Sequence, residues 1–291
     1  MNRKSKFTSF DFIIYAIATI LLIVVLYPLI LVVSNSLSDP VLVASGEVVF
    51  LPKGFNLAGY KAVFADQNIM TGYANTIFYT VFGTIINLIV TLPAGYALTK
   101  QMPAKGFITG MMLFTMYFSG GLIPTFLWLN KLGLYGSRWA ILLDGAFQVY
   151  NCIICRSFFN ALPVELEEAA EIDGCNPFRI FARIVLPLSK ALLGVMVLYF
   201  GVSRWNSYFT AMIYLDDDSK MPLQVFLRRI LILAQSALNS DEGGEYALEL
   251  LQREALIRYA VIVVAALPLM IIYPFLQKYF DKGVLIGSVK G

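Results

Sequence analysis

Residues 160–187 read NALPVELEEAAEIDGCNPFRIFARIVLP, a polar island between two long apolar stretches. Pro163 suits the first turn of a helix, where a backbone N–H has no partner in any case. Glu165, Glu167 and Glu168 follow at the end of that helix where the backbone dipole favours negative charge. Leu166, Ala169, Ala170 and Asp173 recur at helical spacing and give one narrow face of small or modest side chains. Gly174 is a natural stop, and Asn176-Pro177 supplies a cap and first position for a second short helix. Phe178, Phe181, Ile184 and Val185 carry the apolar spacing of that second helix, and Leu186-Pro187 ends it. The spacing predicts two short helices standing between the apolar stretches. Such a protrusion suits a partner's groove; an ordinary loop packed on its own bundle has the same spacing, and the residues alone leave both readings open.

Outward from this island the chain is strongly apolar. It has 58% hydrophobic and only 14% charged residues, against about 25% charged in a soluble domain, and its mean hydropathy is +0.72. That places it in the membrane class, where the unit of counting is a span of about 20 apolar residues. Six segments qualify, at about Phe12–Val33, Thr76–Leu98, Gly106–Leu129, Trp139–Phe158, Ala191–Met212 and Tyr259–Phe280. The first is longer than a signal-peptide core, lacks a cleavage pattern after it, and is expected to be retained. Pro28, Pro93, Gly120, Gly121, Pro124, Pro268 and Pro274 interrupt the segments, as helix breakers do where neighbouring helices satisfy the freed backbone groups.

Six spans put both termini on one side. The termini, the 2–3 loop and the 4–5 loop from Arg156 to Lys190 hold twelve Lys and Arg; the opposite loops hold nine over much longer sequence. The positive-inside rule therefore predicts cytoplasmic termini and a cytoplasmic 160–190 loop. The outer regions are then Ser34–Tyr73 and Ile213–Leu256, the second with the acidic run Asp216-Asp217-Asp218 and an amphipathic stretch at Glu245–Arg258. There is no histidine, which excludes His-based triads, and no basic run suited to nucleic acid. Cys152 and Cys155 form a C-x-x-C inside an apolar stretch with no second pair, and read as small buried hydrophobes rather than a metal or redox site.

The 160–187 stretch resembles the E-A-A-x-x-x-G-x(9)-I-x-L-P signature of binding-protein-dependent ABC importer permeases, matched here by Glu168, Ala169, Ala170, Gly174, Ile184, Leu186 and Pro187. Phe50-Leu51-Pro52, Asn56-Leu57, Tyr60, Asn75, Trp205-Asn206 and the Gly-Ser-Val-Lys-Gly ending at Gly291 are similar to the carbohydrate branch, in particular to second permeases of the maltose type and to Gram-positive permeases for complex oligosaccharides, including pectin-derived saccharides. The resemblance implies an all-α polytopic type I importer permease fold in one transmembrane domain over residues 1–291. It implies that the loop, with Asp173 on its face, is a coupling helix seated on an ATPase subunit. The implied partners are a second homologous permease in a heterodimer, two ATPase subunits that bind ATP and Mg, an extracellular solute-binding lipoprotein and an oligosaccharide substrate. The implied setting is a bacterial plasma membrane. This chain has no G-x-x-x-x-G-K-[ST] phosphate loop of its own, so ATP hydrolysis falls to the partner and the chain is not itself an enzyme.

Polar groups at membrane depth are functional candidates. Asp144, Gln148 and Asn151 lie at i, i+4 and i+7 and predict one polar face on span 4. Arg204, Trp205, Asn206 and Tyr208 cluster in span 5. Hydroxyl-binding polar groups beside aromatic faces suit a saccharide, so both sets are candidates for the translocation path. Asp144 paired with Arg204 or Arg138 as a structural tie is the competing reading, as is helix-to-helix bonding by the amides. Competing functions are import of another small solute and an ion-coupled secondary carrier. The latter predicts inverted repeats and carboxylate relays, of which the chain has one central carboxylate and no clear repeat.

Overall fold

The computed structural model describes residues 9–238 and 257–274, and every regular element among them is helical. The helices are α1 Ser9–Ser36, α2 Pro40–Ala44, α3 Ala58–Ala65, α4 Gln67–Ala97, α5 Lys105–Tyr117, α6 Leu122–Lys131, α7 Arg138–Leu143, α8 Val149–Asn160, α9 Glu165–Ile172, α10 Pro177–Leu188, α11 Lys190–Trp205, α12 Phe209–Tyr214, α13 Leu223–Leu238 and α14 Ile257–Pro274. The described residues divide into two compact units, 9–69 with 227–238 and 257–267, and 70–226 with 268–274. The stretch at Glu245–Arg258, the basic residues at both termini and the ending at Gly291 lie wholly or mostly outside the described residues.

In the first unit, α1 is 28 residues long, about 42 Å at 1.5 Å per residue, enough to cross a bilayer core. None of its apolar window is buried within the chain. The loop that follows folds back on the end of α1. Ser34 Oγ donates to the Phe50 carbonyl at 2.7 Å, Lys53 N–H donates to Ser38 Oγ at 3.0 Å, and Tyr60 OH meets Ser36 Oγ at 2.8 Å.

The second unit holds the polar loop and its apolar flanks. Three helices among the described residues are long and apolar enough to span alone: Phe10–Ser36, Gln67–Ala97 and Ile257–Pro274. Two bent pairs bring the number to five, α5 with α6 at 114° and α10 with α11 at 85°. The first pair bends at Phe118–Gly121, where Gly121 takes φ +84°, a conformation that suits a residue without Cβ. The expected single helix over Trp139–Phe158 is instead two, α7 and α8, separated by residues 144–148. Span 5 likewise ends as a helix at Trp205 and resumes as α12.

One core lies at the end of the unit that carries the polar loop. Leu92 and Tyr96 of α4, Cys155 and Phe159 of α8, Ala170 of α9, Ile180, Phe181 and Val185 of α10, and Leu192, Met196 and Phe200 of α11 pack together. Tyr96 stacks on Phe181 with ring centroids 5.1 Å apart and meets Phe159 edge-on at 6.0 Å. Cys152 and Cys155 are free and buried, as expected of small apolar side chains.

A second group ties residues 215–223 to the start of α4. The acidic run forms a short turn in which Asp217 Oδ1 accepts from Ser219 N–H at 2.8 Å. Asn75 Nδ2 donates to the Ser219 and Met221 carbonyls at 2.8 and 3.0 Å, and Tyr79 OH donates to the Lys220 carbonyl at 2.9 Å. Arg138 donates back to Asn75 Oδ1 at 3.0 Å. Asn75 thus carries a structural role, with its donors and its acceptor all engaged.

Candidate functional site

The polar loop is built by local signals. Helix α9 ends in a Schellman arrangement: Cys175 N–H donates to the Ala170 carbonyl at 2.9 Å and Gly174 N–H to the Glu171 carbonyl at 3.0 Å. Gly174 takes φ +77°, and a Cβ added there would meet nothing within 4 Å. Asn176 Oδ1 accepts from Arg179 N–H at 2.8 Å, capping α10 with Pro177 in its first turn. Residues Phe181–Val185 of α10 form a π-helical turn.

The loop faces two ways. Ala170 is buried against α4 and α8, so the expected face of Leu166, Ala169, Ala170 and Asp173 divides. Ala170 packs inward, while Leu166, Glu168, Ala169, Asp173 and Gly174 are exposed. Ile184 and Leu186 are half-buried against the core and Pro187 is exposed. Ile172 and Phe178 are 86% and 77% exposed, two large apolar side chains left uncovered on one protrusion. Ile172 carried a signal in the sequence, an apolar residue among four acids on a short helix.

Glu167 anchors the loop. It accepts from Tyr96 OH at 3.2 Å and forms an ion pair with Lys100, whose ammonium lies 4.8 Å from the Tyr96 ring centroid. Burial lowers the Lys100 ammonium from its ordinary value, and the Glu171 carboxylate raises it in part. The ion pair is partly exposed, so Lys100→Met combined with Glu167→Gln in a double-mutant cycle is expected to give a coupling of about 0.5–1 kcal/mol, read from thermal unfolding of the purified chain. Zero coupling would remove Lys100 from the anchor.

A polar cavity of about 140 Å³ opens at the break between α7 and α8. It is lined by Asp144, Gln148, Ser203, Arg204, Ser207 and Thr210, together with the backbone of Gly145. Asp144 Oδ2 accepts from Thr210 Oγ1 at 3.0 Å. Gln148 Oε1 accepts from Asn151 Nδ2 at 2.8 Å, which turns the Gln148 amide N–H donors free for another acceptor. Because the helix is interrupted, Asp144, Gln148 and Asn151 do not form one helical face. The cavity nevertheless brings Asp144 and Gln148 together, and Asn151 supports Gln148 from a buried position.

The span 5 candidates separate. Arg204 borders the cavity, but its guanidinium is spent on the protein: Nη1 and Nη2 donate to the Ile141 and Leu142 carbonyls at 2.6 and 3.1 Å, and Nε to Asn87 Oδ1 at 3.0 Å. In place of the competing tie to Asp144, Arg204 is hydrogen-bonded to backbone and Asn87, and Arg138 turns to Asn75. Trp205 is buried, edge-on to Tyr73 at 5.8 Å, and borders a separate apolar cavity of about 310 Å³ with Thr84, Leu88, Val197, Gly201 and Ile272. Asn206 is exposed and bonds back to the Val202 carbonyl at 2.9 Å. Tyr208 is partly exposed and lies edge-on to Phe209. Ser203, Ser207 and Thr210, not anticipated from the sequence, recur at i, i+4 and i+7, a spacing that would have singled them out although the helix breaks between Trp205 and Phe209.

Comparison with known proteins gives this geometry its context. Residues 68–286 match the family described as binding-protein-dependent transport system inner membrane component. Protein LplC of Bacillus subtilis (strain 168) is 39% identical over 269 residues, covering 92% of this chain and 90% of that protein. The polygalacturonan/rhamnogalacturonan transport system permease protein YtcP of the same organism is 39% identical over 283 residues, covering 97% and 98%. A bacterial ABC transporter involved in the import of the acidic polysaccharide alginate has a chain that superposes with a TM-score of 0.84 at 37% identity, covering 95% of this chain and all of that one. The outward-facing loop, the broken spans and these likenesses lead to one assignment: the chain belongs to the binding-protein-dependent transport system inner membrane component family, the membrane permease subunits of ABC importers.

Proposed function

We propose that this permease carries an oligosaccharide inward across a bacterial plasma membrane. It does so with a second, different permease of the same family, two ATPase subunits that bind ATP and Mg, and an extracellular binding lipoprotein that delivers the sugar. In this reading the chain crosses the membrane six times as one domain, with α7 and α8 together forming the fourth crossing, and both termini are cytoplasmic. The exposed part of the 160–187 loop, with Glu168, Ala169, Asp173 and Gly174, seats on the ATPase. The observation that carries the saccharide reading is the polar cavity. A carboxylate, an amide and three hydroxyls within one small polar space offer both donors and acceptors to sugar hydroxyls. The name of YtcP, 39% identical over nearly the whole chain, and that of the alginate importer support the same class.

Uptake by cells carrying and lacking the gene tests this, with oligogalacturonides, alginate oligomers, arabino-oligosaccharides and maltodextrins as labelled probes. The expected result is uptake of one of these classes that needs ATP and survives collapse of the ion gradient. Gradient-driven uptake, or uptake of none, would overturn the reading. Asp144→Ala is expected to lower uptake by about tenfold or more, the cost of one lost charged hydrogen bond, with the membrane level unchanged. Native uptake in that variant would remove the cavity from the path.

A further inference from the structure

The break between α7 and α8 poses a backbone problem. Where a helix stops inside a membrane, its last carbonyls lose their partners and no bulk water replaces them. Here six of the carbonyls around the break can be followed to their partners. Asp144 N–H takes the Ala140 carbonyl at 3.0 Å and Ala146 N–H takes that of Leu143 at 3.1 Å. Ile141 and Leu142 are left, and Arg204 donates to both. Gly145 and Ala146 are left, and Asn87 Nδ2 donates to both, at 2.7 and 2.9 Å. The two side chains are also joined to each other through Arg204 Nε and Asn87 Oδ1.

The surroundings are shaped for this arrangement. Asn87 is almost wholly buried on α4. One turn earlier on the same helix, Gly83 leaves room for the arginine: a Cβ there would lie 2.9 Å from Arg204 Nε and 3.0 Å from its Cδ. Gly145 supplies the turn itself with φ +64°.

We propose that Arg204 and Asn87 form a latch that holds the fourth crossing open as two helices, and that they are positioning residues for transport. Their role is to keep Asp144 and Gln148 turned into the polar cavity. Without the latch, residues 141–148 have a ready alternative. The local sequence reads as one continuous helix over Trp139–Phe158, and in that helix the four carbonyls find partners four residues on. Closing the helix would withdraw Gln148 from its present place in the cavity. The latch depends on donor number and geometry, so a guanidinium serves it better than an ammonium. It concerns this chain's own backbone and holds whichever solute is carried.

Thiol accessibility tests the proposal without knowledge of the cargo. Gln148→Cys is placed in the full chain with Cys152, Cys155 and Cys175 replaced by Ala, and its labelling by a methanethiosulfonate ethylammonium reagent is timed in membrane vesicles. Asn87→Leu and Arg204→Met each unpair two buried carbonyls and are expected to slow labelling by at least about tenfold, the effect of unpairing even one. Arg204→Lys is expected to retain most of the native rate. Equal rates in the native-latch protein and in both donor-free variants would overturn the proposal. Loss of all three variants from the membrane would assign the pair to folding alone and would overturn it too. Because no solute enters this assay, its failure leaves the saccharide reading standing, and failure of the uptake panel leaves the latch standing.

Discussion

Gly174→Val is expected to abolish transport while leaving the chain in the membrane. Gly174 takes φ +77° at the end of α9, and a β-branched residue is strongly disfavoured in that region. The strain is about 1–2 kcal/mol or more. The chain can relieve it by unwinding the Schellman turn, which releases the bonds from Cys175 to Ala170 and from Gly174 to Glu171. The added side chain itself makes no clash with the core beneath, because a Cβ at 174 would meet no atom within 4 Å. The damage is therefore confined to the outward surface bearing Ala169, Ile172 and Phe178. If that surface seats on the ATPase, co-purification of the ATPase is expected to fall by about a hundredfold, the scale of losing a central interface anchor. The extracellular binding protein should still bind its sugar. Gly174→Asn separates two causes. Asparagine tolerates the left-handed conformation, so near-native uptake in this variant assigns the glycine to the turn. Loss as deep as in Gly174→Val assigns it instead to close approach by the partner. Native ATPase recovery with Gly174→Val would remove the loop from the docking surface.

The loop was legible because its signals are local. The acidic first turn, the Gly174 stop and the Asn176-Pro177 cap each act within four residues and fall where α9 and α10 place them. Pro163, however, precedes the α9 cap at Val164 instead of sitting in the first turn, and α10 runs through Pro187 to Leu188 instead of ending at Leu186-Pro187. What the loop's spacing could not show was its two-sidedness. The inward turn of Ala170 and the anchoring of Glu167 depend on Tyr96 and Lys100, more than sixty residues earlier in the chain. The span count suffered from the same limit. Hydropathy over Trp139–Phe158 describes a continuous apolar helix, and only groups 58 to 63 residues away, on Asn87 and Arg204, make the interruption stable. Arg204 itself was singled out as an ionisable residue at membrane depth, but its hydrogen-bond partners proved to be two backbone carbonyls and Asn87 rather than Asp144. Asp144 and Gln148 reached the cavity by another route than the helical face that predicted them. Ala, Gly and Cys positions gave little indication of their roles, since small residues mark a close crossing only once the facing helix is known.

Gly95→Leu is expected to leave no folded chain, and Gly95→Ala to show why. Helix α4 passes α8 so closely that a Cβ at position 95 would lie 2.7 Å from Cys155 Cβ and 3.3 Å from both the Arg156 nitrogen and the Cys152 carbonyl oxygen. The nearest atom is a Cβ, fixed to the α8 backbone, and the other two are backbone, so no rotamer change relieves the contact. The helix must move, and with it Cys155 and Phe159, which share a core with Tyr96 and Ala170. Overpacking of this kind costs about 1–3 kcal/mol for one methyl group, or roughly 2–10 °C in Tm for a chain of this size. A leucine adds three more carbons to the same wall. Cys155→Gly in the Gly95→Ala background removes the 2.7 Å contact but leaves the two at 3.3 Å, so it should restore part of the Tm and not all of it. Gly110→Ala is the control. It lies within helix α5 with nothing inside 4 Å of an added Cβ, so it should gain up to about 1 kcal/mol of helix propensity. Opposite signs at these two helical glycines, measured by thermal unfolding in detergent, are the expected result. Equal shifts would mean that α4 and α8 do not cross at Gly95, and the anchoring of the docking loop through that core would fall with the crossing.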